Sequence, residues 1–310
     1  MSSHLKRLYM NEVATRDGFQ IEPIFIPTDD KVTLINRLSE CGFAKIEATS
    51  FTSPKAIPML RDADEVMGRI QRVQGVEYTV LVPNLRGAER AVEARADELN
   101  LVMSVSESHN NANLKMTREQ SFTQLSQVIK AMDEIEVERR PRINVSLSTS
   151  FGCPMEGDVA QTEVLEWCAR YADLGIRGIT LCDTTGMAYP SQVSAMTDAF
   201  ASRFSSTQLT MHFHNTRGMG LANVLAAVQE GVVRFDGSLG GLGGCPYAPG
   251  ATGNICTEDT VHMLALIGYN TGIDEVKLLE AARGLPALLG HDVPSQLIKA
   301  GPRLNKALAT

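Results

Sequence analysis

Short runs of β-branched and other apolar residues alternate along most of the chain with longer stretches whose apolar positions recur every three or four residues. This is the pattern of parallel strands joined by crossover helices. Eight such units can be counted, with strands expected at 8–14, 43–48, 78–82, 98–105, 143–148, 178–182, 209–214 and 232–238. Residues 29–40 read as a helix, with Asp29 and Asp30 able to cap its start and Leu34, Ile35 and Leu38 on one face. Residues 117–136 read as another: Phe122, Leu125, Val128, Ile129 and Met132 fall on one stripe, and Thr117 and Gln120 have the spacing of a capping box. Beyond the eighth strand, helices are expected at 257–267 and 275–283, with a last short one within 294–308.

Eight β–α units with no linker of changed composition and no internal repeat predict an α/β fold, a (β/α)8 TIM barrel with extra C-terminal helices. The expectation is one catalytic domain over residues 1–310, its helical extension starting near 270. No G-x-G-x-x-G follows the first strand, which disfavours an open dinucleotide-binding sheet.

Composition narrows the partners. With 44% apolar and 21% charged residues and a mean hydropathy of −0.07, the chain can bury a sizeable core. The net charge of −7 and the lack of a lysine- or arginine-rich run argue against nucleic acid as a partner. No apolar stretch approaches the ~20 residues that cross a bilayer, so no membrane partner is expected. The start, MSSHLKRLYM, lacks a signal-peptide core, and a cytoplasmic location is expected. Cys41, Cys153, Cys168, Cys182, Cys245 and Cys256 form no C-x-x-C pair, so reduced thiols are the default.

In such a barrel the reactive groups sit at the C-terminal ends of strands and in the loops that follow. The first strand runs into Arg16-Asp17-Gly18, the second carries Glu47, the sixth ends at Asp183 and the seventh at His212-Phe213-His214. Strand alternation turns both imidazoles the same way and Phe213 the other. Asp17 approaches them because the first strand of a closed barrel adjoins the eighth, and Asn254 can add an amide oxygen. Two imidazoles, a carboxylate and an amide oxygen suit Mg2+ or Mn2+ better than a closed zinc site, with non-haem iron as the rival. Residues 239–254, LGGLGGCPYAPGATGN, hold six glycines around Cys245, whose thiol can donate or accept a proton. Arg16 can place fixed N–H donors on a developing oxyanion. Glu12 and Glu47 are equally readable as structural carboxylates paired to cations.

RDGFQ at 16–20, IEATSFTSPK at 46–55, HFHN at 212–215 and the 239–254 loop together resemble the 3-hydroxy-3-methylglutaryl-CoA lyase family. The resemblance extends through VLVPNLRGAERAV (80–92) and FGCPMEGD (151–158) and keeps their order. It implies a barrel, dimeric or a higher homo-oligomer, that holds Mg2+ or Mn2+ through Asp17, His212, His214 and Asn254. It implies Arg16 as the enolate-stabilising cation, Cys245 as the loop acid–base, Glu47 and Asp183 as helpers to the metal water or the substrate hydroxyl, and Glu12 as support for the floor. Arg16, Gln20 and Ser50 are the expected substrate contacts, with part of the CoA along 50–55. The implied reaction is a retro-Claisen cleavage of a 3-hydroxyacyl-CoA thioester to acetyl-CoA and a keto acid such as acetoacetate.

The chain reads RDGFQIEP where well-known lyases read RDGLQNE, and HFHNTRG where they read H-x-HDTYG, so the acyl group is open to a related 3-hydroxyacyl-CoA. GLANVLAAVQEG after HFHN also looks like the synthases that join acetyl-CoA to a 2-oxo acid. Those usually carry a longer C-terminal region than the 56 residues (310 − 254) that follow Asn254 here. A non-catalytic metal-binding barrel is the alternative of a different class, but a scaffold has no physical need for so many convergent polar groups.

Overall fold

All eight expected strands form, with ends shifted by at most two residues, in a computed structural model that describes residues 6–244 and 253–303. They are β1 (Tyr9–Glu12), β2 (Lys45–Ser50), β3 (Glu77–Val82), β4 (Glu98–Ser104), β5 (Arg142–Ser148), β6 (Gly178–Asp183), β7 (Gln208–Phe213) and β8 (Arg234–Gly237). Each lies parallel to the next, and β1 closes on β8 through the register Tyr9↔Arg234 to Glu12↔Gly237, so the sheet is a closed (β/α)8 barrel.

The two faces of the wall differ in chemistry. Ile46, Val80, Leu99, Leu101, Val145, Leu147, Ile179, Leu181, Met211, Phe213 and Phe235 are fully buried and alternate with the residues that face the barrel interior. That interior is polar rather than filled with branched aliphatics. Lys45 Nζ meets both oxygens of Glu98 at 2.6 and 2.5 Å, Asn144 Nδ2 donates to Asn100 Oδ1 and Thr180 Oγ1 at 3.0 Å each, and Ser146 Oγ donates to Asn100 Oδ1 at 2.8 Å. Such groups are tolerated there because they satisfy one another.

Helix Arg118–Asp133 begins at the expected capping box: the Gln120 amide donates to Thr117 Oγ1 and the Thr117 amide to Gln120 Oε1. The first helix is Thr28–Ser39 and differs from expectation at its start. Pro27 precedes it without a side-chain cap, and Asp29 and Asp30 lie in the first turn, where a negative charge suits the helix dipole. Helices Glu107–Leu114 and Leu285–Leu289 were not anticipated. The last helix described, Gln296–Ala300, is shorter than the 294–308 window, whose residues from 304 lie outside the described part. Glu275–Arg283 packs between Thr28–Ser39 and Thr257–Leu266, and it is Thr257–Leu266 that lies on β1 and β8. Among the described residues no helix is long and apolar enough to cross a membrane.

Candidate active site

β1 runs into one wide turn, Ala14–Gly18, in which the amides of Arg16 and Asp17 both reach the Val13 carbonyl, at 3.1 and 2.7 Å. Such π-type turns recur at functional sites because they re-aim consecutive side chains. Here both side chains line a cavity of about 520 Å3 at the C-terminal end of the barrel.

Arg16 donates through Nε and Nη2 to one oxygen of Glu47 at 2.6 and 2.5 Å, and through Nη1 to Asp17 Oδ1 at 2.6 Å. The second Glu47 oxygen accepts from Asn100 Nδ2 at 2.8 Å. Burial disfavours the guanidinium, but Glu47 and Asp17 outweigh it and hold Arg16 charged. Burial also opposes ionisation of Asp17, yet Arg16, His212 and His214 keep its pKa below the ordinary carboxylate value. Glu47 is pushed up by its burial in spite of Arg16.

His212 and His214 stand on the same side of β7 and its extension, with ring centroids 5.3 Å apart, while Phe213 packs on Phe151 on the other side. His212 Nδ1 lies 3.2 Å from Asp236 Oδ2, and Asp236 Oδ1 accepts from Asn11 Nδ2 at 2.8 Å. Asp236 sits directly opposite His212 in the β7–β8 register. Burial alone would lower His212, but Asp236 and Asp17 raise it overall. Burial and the neighbouring His212 push His214 down to about 3, so its imidazole is neutral.

Asn254 forms a bridge beside His214, and its Nδ2 donates to Asp17 Oδ2 at 2.6 Å and to the Leu242 carbonyl at 2.9 Å. Gly243 permits this contact: it has φ +97°, and a Cβ there would lie 2.6 Å from Asn254 Nδ2 and 3.0 Å from Asp17 Oδ2.

This donor set fits a divalent cation. One ligand atom each from Asp17, His212 and His214 lie within 4.8 Å of one another, and all three residues are buried. Among the described residues, His214 Nδ1 and Asn254 Oδ1 are buried with no hydrogen-bond partner, although buried polar groups are nearly always paired. A carboxylate fixing the far nitrogen of His212 is the usual outer support of a metal-binding imidazole.

The structure therefore brings Arg16, Asp17, Gln20, Glu47, His212, His214 and Asn254 together; Gln20 Nε2 donates to Asp17 Oδ1 at 3.0 Å. It does not bring Glu12, Asp183 or Ser50 to the cavity wall. Glu12 shares the outward face of β1 with Met10, and instead of a cation it binds the Ala14 and Leu239 amides and the Thr257 hydroxyl. Burial raises its pKa to about 8. Asp183 shares the outward face of β6 with Leu181; it accepts from the amides of Met187 and Ala188, and burial raises its pKa to about 6. Ser50 Oγ turns to Thr52, which does line the cavity. Cys245 lies outside the described residues.

Sequence reasoning missed Asp236, and also Asn100, Cys182 and His109, which line the same cavity. The ring of His109 is oriented through Nδ1 by Ser104 Oγ at 2.7 Å.

A closed barrel with a two-histidine, one-carboxylate cluster beside a buried arginine defines a TIM-barrel protein with a candidate metal site. Within it, the family model described as HMGL-like matches residues 7–284, and the chain belongs to that family. It is 44% identical over 291 residues to hydroxymethylglutaryl-CoA lyase YngG of Bacillus subtilis, covering 94% of this chain and 96% of that one. It is 40% identical over 270 residues to the cytoplasmic 3-hydroxy-3-methylglutaryl-CoA lyase of Rattus norvegicus, covering 87% of this chain and 78% of that one. Among solved structures, an HMG-CoA lyase from Acinetobacter baumannii in complex with coenzyme A and 3-methylmalate superposes with a TM-score of 0.93 at 53% identity, over 98% of both chains.

Proposed function

We propose that this chain is a carbon–carbon lyase of the hydroxymethylglutaryl-CoA lyase type, working from a single barrel domain. Its substrate is 3-hydroxy-3-methylglutaryl-CoA or a related 3-hydroxyacyl-CoA, and its products are acetyl-CoA and a keto acid such as acetoacetate. The observation that carries this reading is the 4.8 Å cluster of Asp17, His212 and His214 in the same cavity as Arg16. The similar proteins, hydroxymethylglutaryl-CoA lyases by name and one of them bound to coenzyme A, support it.

Asp17, His212, His214 and Asn254 would hold Mg2+ or Mn2+, which when bound supplies Lewis acidity that eases transfer of a substrate hydroxyl proton to a nearby base. Neutral His214 and ionised Asp17 are already in the states that ligation needs. As the C2–C3 bond breaks, its electron pair moves onto the thioester and leaves an enolate. Arg16 is the group that meets this charge. Two carboxylates fix its guanidinium beforehand, and N–H groups remain beyond those spent on Glu47 and Asp17. Glu47 and Asn100 act through Arg16 as positioning residues. The enolate carbon then takes a proton, a task we give to Cys245 on the strength of the motif around it.

Metal-stripped protein given Mg2+ or Mn2+ and 3-hydroxy-3-methylglutaryl-CoA should release acetyl-CoA and acetoacetate, measured beside other 3-hydroxyacyl-CoA esters. Faster cleavage of one of those esters would keep the reaction and change the acyl group. Consumption of acetyl-CoA with a 2-oxo acid, and no thioester cleavage, would replace this reading with a synthase.

A further inference from the structure

Residues 290–295 link helices Leu285–Leu289 and Gln296–Ala300 and reach two loops, the one after β1 through His291 and Glu22 and the one after β8 through Ser295 and Gly240. His291 has an acceptor at each ring nitrogen: Glu22 Oε2 lies 2.8 Å from Nε2 and the Asp292 carbonyl 2.9 Å from Nδ1. A neutral imidazole has one N–H and can satisfy only one of them, whereas the imidazolium satisfies both. Glu22 is 9% exposed and lines the cavity with Gln20 and Ile21, in the loop that follows β1. The same segment also grips the start of the glycine-rich stretch. Buried Val293 packs on Gly240, where a Cβ would lie 3.2 Å from Val293 Cβ, and the Ser295 amide donates to the Gly240 carbonyl at 3.3 Å.

We propose that His291 is a positioning residue: as the imidazolium it clasps Glu22, so that the loop after β1 and the start of the glycine-rich stretch are held as one rim around the cavity. The clasp fixes the entrance for an acyl-CoA if the lyase reading holds. The charged groups that face the ring are Glu22, from the loop after β1, and Asp292, its chain neighbour. The hydrogen bond to the Asp292 carbonyl and that to Glu22 place its pKa above the ordinary histidine value. A raised folded value means that the clasp is complete below about pH 6.5 and weakens as pH rises through the raised pKa, when the neutral ring keeps one N–H for two acceptors and loses its charge attraction to Glu22.

Hydrogen exchange of residues 19–27, corrected for intrinsic rate across pH 5.5 to roughly 9, tests this on the full chain without any substrate. Protection in the native protein should fall as pH rises, H291Q should lack it at every pH, and H291K, which stays charged, should keep it throughout. With substrate, H291Q should raise KM for the acyl-CoA about two- to fivefold with kcat unchanged, and H291K should restore it. Native protection in H291Q, independent of pH, would overturn the clasp. Failure of every thioester to react would overturn the lyase reading and leave the exchange result to judge the clasp alone.

Discussion

Two of the buried ion-pair groups among the described residues line the barrel interior, and they are built differently. Towards the floor, Lys45 and Glu98 meet at 2.5 Å with side chains 8% exposed each, and both oxygens of Glu98 face the lysine. Higher up, Arg16, Asp17 and Glu47 are as deeply buried and as closely paired, yet their neighbours His214 Nδ1 and Asn254 Oδ1 have no partner among the described residues. Burial and charge are common to both. What separates the site from the structural pair is the cluster of ligand atoms beside it: Asp17, His212 and His214 each offer one within 4.8 Å of the others, and among the described residues no such cluster adjoins Lys45 and Glu98.

That contrast can be broken by substitution. K45M strands Glu98 as a buried unpaired charge and should cost about 3–5 kcal/mol of stability in denaturant unfolding, while the fraction that remains folded keeps its turnover. R16Q should do the opposite, lowering kcat by roughly 10²–10³ with a smaller change in stability; near-normal turnover would remove Arg16 from the reaction. D236N leaves His212 without its orienting carboxylate and should weaken Mn2+ binding by roughly 10–100-fold in calorimetric titration. Unchanged affinity would reduce Asp236 to a structural role. T117A, far from both groups, should lose ~1 kcal/mol from the end of helix Arg118–Asp133 and leave metal binding and kcat alone.

The fold was legible because the wall of a (β/α)8 barrel is written in a repeated alternation, and a shift of two residues at a strand end does not disturb it. Helix ends were less so. Pro27, rather than Asp29 or Asp30, precedes the first helix, because a charge in the first turn serves the dipole as a cap serves the amides. In the site, Arg16, Asp17, His212, His214 and Asn254 were readable as residue types that converge at strand ends. Asp183 joins them by its place at a strand end and by the family resemblance, and Glu12 by the resemblance, although parity along their own strands separates them: Met10 and Leu181, two residues earlier, are apolar and buried on the wall's outer face. The same parity would have found Asp236, which follows outward-facing Phe235 and stands opposite His212. Residue type suggests the chemistry, and strand parity decides whether a residue can take part in it.

The contact between Asp17 and Asn254 joins residues 237 positions apart, across the seam where β1 meets β8. During synthesis the carboxylate of Asp17 emerges early and waits for nearly the whole barrel before its fellow ligands exist. A nascent chain arrested within β7 carries Asp17 but neither His214 nor Asn254, so it has no complete nest for a cation and no closed wall to keep water out. The ligand set is therefore complete only once the last strands have closed on β1, so its completion reports closure of the barrel.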